Sequence, residues 1–142
     1  MSECLDASVV LATVLPDEPM RPRAIATLRR GITRGSLAAA DILPQELTNA
    51  LAKLVRRGRM DAVGAAEAQR TLLDLPWTWY PVAPHLEAVL RDAAAGHGHP
   101  YDLMQLHAAH AHGARLLTAD RRFHAGLIRH PWRRRVSLLP GA

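Results

Sequence analysis

The sequence predicts an α/β fold, a parallel sheet covered by helices on both sides. Three observations lead to it. Short apolar runs of strand length alternate with amphipathic runs of helix length along the chain. Proline and glycine fall mostly between these runs. An acidic residue, Asp6, Glu46, Asp102 or Asp120, stands at each of four changes from strand-like to helix-like sequence. In a parallel sheet those changes share one edge, where open α/β sheets bind ligands.

Taken in order, Glu3 to Leu5 is a short strand ending at Asp6. Ser8 to Leu15 follows as a helix, capped by Asp6 or Ser8 and stopped by Pro16 and Pro19. Pro22 to Arg34 is a second helix, and Gly35 ends it. The nearly continuous apolar run from Leu37 to Leu43 suits a buried parallel strand. Pro44 fits the first turn of a helix running to Arg57, which Gly58 stops. Met60 to Leu75 is helical and alanine-rich, Trp77 to Val82 is β-prone, and Pro84 to Ala95 is helical again. Gly96 to Pro100 forms a turn, and Tyr101 to His112 is a helix closed by Gly113. Ala114 to Thr118 is a strand, Asp120 opens a short helix, and Val136 to Leu139 is a last strand.

With 142 residues and no repeat, linker or low-complexity stretch, the chain reads as one domain spanning 1–142. A hydrophobic content of 49% with 22% charged residues excludes disorder. Cys4 is the only cysteine, so no internal disulfide forms, and no signal peptide is evident; both point to the cytoplasm. No apolar run approaches the roughly 20 residues of a membrane helix. The net charge is +5, carried almost wholly by arginine, with Lys53 the sole lysine. Arginine matches phosphate in bidentate fashion, so an acidic partner such as nucleic acid is expected; an arginine-rich surface without a partner is the plainer alternative.

The helix after Pro44 carries the most legible polar stripe: Glu46, Asn49, Ala50, Lys53 and Arg57 share one face, beside an apolar face of Leu47, Leu51, Leu54 and Val55. It runs from a carboxylate through a carboxamide to two cations. Asp102 heads a stripe of small and apolar residues, so burial of its charge calls for compensation. Taken singly, Asp6, Asp102 and Asp120 also read as helix caps. Independent caps need not converge, whereas carboxylates that meet repel one another and require a cation. Hard oxygen ligands favour Mg²⁺ or Mn²⁺.

The set Asp6-Ala7-Ser8, Glu46 with Asn49, Tyr101-Asp102, and Leu116-Leu117-Thr118-Ala119-Asp120-Arg121-Arg122-Phe123 resembles the PIN-domain ribonucleases, and among them the VapC-type toxins of bacterial toxin–antitoxin pairs. The pieces occur in family order from Cys4 to about Phe123. The resemblance implies a three-layer α/β/α sandwich with a mainly parallel central sheet. It implies that Asp6, Glu46, Asp102 and Asp120 form the catalytic site and bind one or two Mg²⁺ or Mn²⁺ ions, with Ser8, Asn49 and Thr118 in support. It further implies cleavage of RNA such as tRNA or ribosomal RNA, inhibition by a cognate antitoxin, and a homodimer. The chain departs from the family pattern at Gln105, His107, His110 and His112, and at Cys4.

Metal-assisted phosphodiester hydrolysis needs no side-chain nucleophile, in keeping with the lack of a GxSxG elbow or a catalytic Cys-His motif. Arg121 and Arg122 directly follow a site acid and, with Lys53 and Arg57, are the candidate RNA contacts. The histidines suggest zinc, but His107 and His110 lie about 60° apart on their helix while His112 points away. Helix packing is the better account of them, with His97 or His99 as candidate RNA contacts. The competing function is a catalytically silent PIN-like module that binds RNA or protein; the presence of all four acids favours the enzyme.

Overall fold

A computed structural model describes residues 2–142. Five strands form one sheet: β1 (Glu3–Leu5), β2 (Ala38–Ala40), β3 (Thr78–Tyr80), β4 (Arg115–Thr118) and β5 (Val136–Leu138). Their order is β3-β2-β1-β4-β5, and every pairing is parallel. Cys4 sits at the centre of the register, opposite Ala38 on one side and Leu116 on the other.

Seven helices cover the sheet: α1 (Ala7–Ala12), α2 (Arg21–Arg34), α3 (Leu43–Arg56), α4 (Ala62–Leu73), α5 (Leu86–Ala94), α6 (Pro100–Ala111) and α7 (Arg121–Gly126). Two cores result. One packs Leu5, Ala39 and Leu117 of the sheet against α1 to α4. The other packs Cys4, Ala38, Ala40 and Leu116 against α5 to α7. Strand alternation produces this split, since successive side chains point to opposite faces. The three-layer α/β/α sandwich is therefore as expected. Helix α3 shows the logic most clearly. Leu43, Leu47, Leu51 and Leu54 recur at three- and four-residue spacing and are all buried; each contributes about 1.5–3 kcal/mol relative to exposure.

Most elements begin and end close to where the sequence places them, and β1 matches its expected span, but the other strands are shorter. The expected strand from Leu37 to Leu43 pairs only over Ala38–Ala40. Beyond it the Asp41 N–H donates to the Tyr80 carbonyl (2.9 Å), and Asp41 Oδ1 accepts from the Val82 N–H (3.0 Å). That turn releases the chain, and Leu43 already opens α3, with Pro44 in its first turn. The segment expected as a helix from Pro84 begins as a 3₁₀ turn, Ala83–His85, before α5. The C-terminal glycine of α2, Gly35, adopts the left-handed conformation (φ 61°) that the stop signal requires.

The histidines of the second core do pack, through a contact that spans three segments. Asp92 Oδ2 meets His107 Nε2 at 2.6 Å and His130 Nε2 at 2.8 Å. His130 Nδ1 accepts the Trp132 N–H (3.0 Å), which places the ring proton on Nε2, facing Asp92. A metal-bound imidazole keeps its proton on the nitrogen remote from the ion. At His130 that nitrogen faces a donor, so the trio is a hydrogen-bonded latch and not a zinc site. The His110 ring stacks on Trp132 with centroids 3.7 Å apart, and His112 stacks on Tyr80 at 4.1 Å. Burial alone would raise the Asp92 pKa, but the bonds from His130 and His107 carry it below its usual range.

The latch ties the segment after α7 to α5 and α6. Asp92→Ala leaves a buried imidazole N–H without a partner, so urea unfolding should show a loss of about 1–3 kcal/mol. An unchanged midpoint would mean that the latch contributes nothing. Because a depressed carboxylate pKa stabilises above its unfolded value, this contribution should vanish as pH falls through the folded pKa of Asp92.

Candidate metal centre

The sheet reverses direction between β1 and β4. From β1 the chain builds outward through β2 and β3, then crosses back to β4 and β5. In open α/β sheets ligands bind beyond the strand ends at that reversal. Asp6 leaves the end of β1, and Thr118 ends β4 beside it.

Asp6 occupies the N-cap position of α1, yet its carboxylate makes no cap bond. Oδ2 instead accepts the Ser8 hydroxyl (2.6 Å) and the Thr118 hydroxyl (2.6 Å). Each hydroxyl has one proton to give, so the 3.2 Å approach of Ser8 Oγ to Thr118 Oγ1 is a contact between two donors already in use. Ser8 Oγ in turn accepts the Ala119 N–H (2.9 Å), and Thr118 Oγ1 accepts the Asp120 N–H (3.0 Å). Both hydroxyls are thereby fixed. Asp6 is only 3% exposed, and the Ala7 backbone N–H joins the two hydroxyls in stabilising its charge.

Helices from both layers bring in the other carboxylates. Glu46 lies in the first turn of α3, from the first core, and Asp102 in the first turn of α6, from the second. Helix α6 follows helix α5, so Asp102 does not stand at the expected change from strand to helix. Ligand oxygens of Asp6, Glu46 and Asp102 all lie within 4.8 Å of one another. Burial raises the Asp6 pKa above its ordinary value, an effect opposed by its hydroxyl bonds. Burial and then the Asp6 charge push Glu46 up to about 8. Burial, Asp6 and Asp120 push Asp102 up to about 7. No Lys, Arg or His forms an ion pair with these three among the described residues. Crowded hard oxygen donors without a protein counter-ion fit a divalent cation, which would replace the protons they otherwise retain.

Asp120 stands differently. It raises the pKa values of Asp6 and Asp102, so it lies close to them, and it lines a cavity with Asp102. Its Oδ1 also caps α7, accepting from the Arg122 N–H (2.9 Å) and the Phe123 N–H (3.0 Å). The cap reading thus holds for Asp120, which keeps Oδ2 available, and fails for Asp6.

Two cavities open beside the carboxylates. The first, about 560 Å³, lies between α1 and α3 and is lined by Ser8, Glu46, Asn49, Lys53 and Tyr101 among others. The second, about 780 Å³, is lined by Asp102, Asp120, Lys53, His97, His99 and Arg122 among others. Lys53 borders both. Arg57 and Arg121 are exposed but line neither cavity. The polar stripe of α3 thus faces the site through Glu46, Asn49 and Lys53, and Arg57 lies beyond it.

Sequence reasoning did not assign Gln105 to the site. It is wholly buried, and its Nε2 donates to Glu46 Oε1 at 2.6 Å. Its Oε1 is buried without a hydrogen-bond partner. The available signal was its place three residues after Asp102, on the same side of α6. The amide joins the two helical layers across the sheet edge and aims Glu46 at its neighbours.

Three measurements follow. Carboxylates with raised folded pKa values stabilise the metal-free protein below their unfolded values and lose that contribution as pH rises toward 7 and 8, the folded values of Asp102 and Glu46. Metal-free Tm should therefore fall between pH 5 and pH 8, and Mn²⁺ should raise Tm more at pH 8 than at pH 5. Asp6→Asn keeps an oxygen for both hydroxyls while removing a charge, so it should abolish the Mn²⁺ response without lowering metal-free Tm at pH 8. Gln105→Leu should weaken Mn²⁺ binding by about 10–100-fold in titration calorimetry; unchanged affinity would show that Glu46 needs no support.

The PIN domain family model matches residues 4–126. Among solved structures, the chain is similar to the crystal structure of PAE2754 from Pyrobaculum aerophilum. The TM-score is 0.68 at 28% sequence identity, and the match covers 89% of this chain and 79% of that one. No curated protein matches it. The family match takes in the Asp6, Glu46, Asp102 and Asp120 segments together with strands β2, β3 and β4 and most of β1, and the chain belongs to the PIN domain family.

Proposed function

We propose that this chain is an Mg²⁺- or Mn²⁺-dependent endoribonuclease that hydrolyses RNA phosphodiester bonds, and that it serves as the toxin of a toxin–antitoxin pair. The observation that carries the nuclease reading is the meeting of Asp6, Glu46 and Asp102 within 4.8 Å between two cavities that share Lys53. One or two bound divalent ions would neutralise charge on the phosphoryl oxygens and lower the pKa of water. The protein's own residues do the rest. Ser8 and Thr118 hold Asp6 in a single orientation, and Gln105 does the same for Glu46. Asp120 is set in place by its capping bonds. Lys53 and Arg122 stand where phosphates on either side of the scissile bond would pass, and Arg57 and Arg121 lie further along the surface. The +5 net charge favours association with a polyanion.

The toxin role rests on the resemblance of the ordered motifs to VapC-type proteins. It carries with it a cognate antitoxin that blocks the acidic site, a homodimer, a cytoplasmic setting, and structured RNA such as tRNA or ribosomal RNA as target. The silent-module alternative is less well supported, because no acid of the constellation is missing.

Purified protein should cleave a mixed RNA substrate with Mn²⁺ and not with EDTA. Asp6→Asn and Asp102→Asn should each reduce cleavage by about 100-fold or more while the circular dichroism spectrum is retained. Full activity in the double variant would eliminate the mechanism. Induction in a bacterial host should arrest growth, and co-expression of a small protein encoded next to the gene should restore it.

A further inference from the structure

The two cavities beside the carboxylates differ in chemistry. The second presents Lys53, Arg122, His97 and His99 together with the acids, a lining suited to a sugar-phosphate chain. The first shares Lys53 and includes Glu46, but most of its wall is Ala7, Leu11, Ile42, Leu47 and Ala50, with Gln45, Asn49 and Tyr101 beside them. Apolar walls joined to a few polar groups suit a flat ligand with apolar faces and polar edges. A nucleobase is such a ligand.

Tyr101 is the residue before Asp102 and is 50% exposed. An isolated exposed tyrosine needs no explanation. This one is held in position. His99 Nδ1 accepts the Tyr101 N–H (3.2 Å), which fixes the His99 ring at the head of α6. The two rings then pack with centroids 5.2 Å apart at 40°. The tilted imidazole limits the swing of the tyrosine ring, and the residue lines the cavity that Glu46 also lines. Aromatic rings in such positions stack bases of any identity.

We propose that the first cavity is a nucleobase pocket in which a base flanking the scissile phosphate stacks on Tyr101, while the strand continues through the second cavity past Lys53 and Arg122. This rests on the nuclease reading above and adds a requirement to it. The nucleotide in the pocket must be unpaired, because a base within a duplex offers no free face. Tyr101 is a substrate-binding residue here and is not one of the carboxylates that would hold the cation.

The test uses the full chain with Mn²⁺ and a short RNA cut at one mapped bond, alongside RNAs in which each nucleotide flanking that bond is made abasic in turn. Tyr101→Ala should lower kcat/KM by roughly 5- to 150-fold, mainly through KM, because a stack is made in the ground state and the transition state alike. Tyr101→Phe should behave like the unaltered protein. One abasic substitution should reproduce the defect in the unaltered protein and add nothing in Tyr101→Ala. Pairing the same nucleotide with a complementary strand should suppress cleavage. The Mn²⁺-induced rise in Tm should be the same in Tyr101→Ala as in the unaltered protein, which separates a lost stack from a damaged fold. Wild-type kinetics in Tyr101→Ala, or an equal loss on every abasic substrate, would overturn the pocket while leaving the nuclease intact. An unaltered protein that cuts no RNA with Mn²⁺ would instead remove the nuclease reading, and the pocket with it.

Discussion

The bonds from Ser8 and Thr118 to one buried oxygen of Asp6 are the constraint on which the rest of the site is built. They lie between β1 and β4, where the sheet order reverses, and so connect the two halves of the chain at its topological centre. Asp6 accepts both hydroxyl protons on Oδ2, and those hydroxyls are themselves anchored by the Ala119 and Asp120 amides. The carboxylate thus has little freedom to rotate. Charge there is costly, as its raised pKa records. That cost makes sense in a folded protein when a ligand of opposite charge recovers it.

Glu46 and Asp102 add to the same tension from opposite sides of the sheet. Each comes from the first turn of a helix, where free N–H groups and the helix dipole soften the penalty for a negative charge. The softening is incomplete, since both pKa values rise to about 8 and about 7. Gln105 completes the arrangement by joining the layer of α6 to that of α3 through one short bond. The site is therefore held by contacts among the start of α1, the end of β4, α3 and α6, elements anchored in the two cores. Such preorganisation is what metal-assisted hydrolysis demands, because the ligands need not be rearranged during the reaction.

Much of this was legible in the sequence. Helices α2 and α3 follow from apolar periodicity and from the proline and glycine at their ends. The approach of Asp6 and Glu46 follows from strand-to-helix alternation, whereas Asp102 opens α6 after another helix, α5, and reaches the site through tertiary packing. The strands were harder, because apolar character does not reveal where pairing stops. At Leu37 to Leu43 the Asp41 turn decides it, through bonds to Tyr80 and Val82 some forty residues away. The separate roles of the acids were also hidden. Asp6 and Asp120 have the same local sequence logic, yet only Asp120 caps its helix, because only Asp6 has two hydroxyls within reach. Gln105 and the Asp92, His107 and His130 latch were out of reach for a related reason: each depends on partners brought together by tertiary packing.

Cys4 offers a last consequence. Its thiol is fully buried at the sheet centre, and burial, with help from the Asp6 charge, pushes its pKa up to about 12. Only the thiolate reacts with alkylating reagents. In the closed molecule the sulfur is both inaccessible and protonated, so labelling proceeds only when β1 separates from its neighbours. The rate of that labelling is a native stopwatch for the opening of the central strand, read at a point two residues from the carboxylate on which the whole site turns.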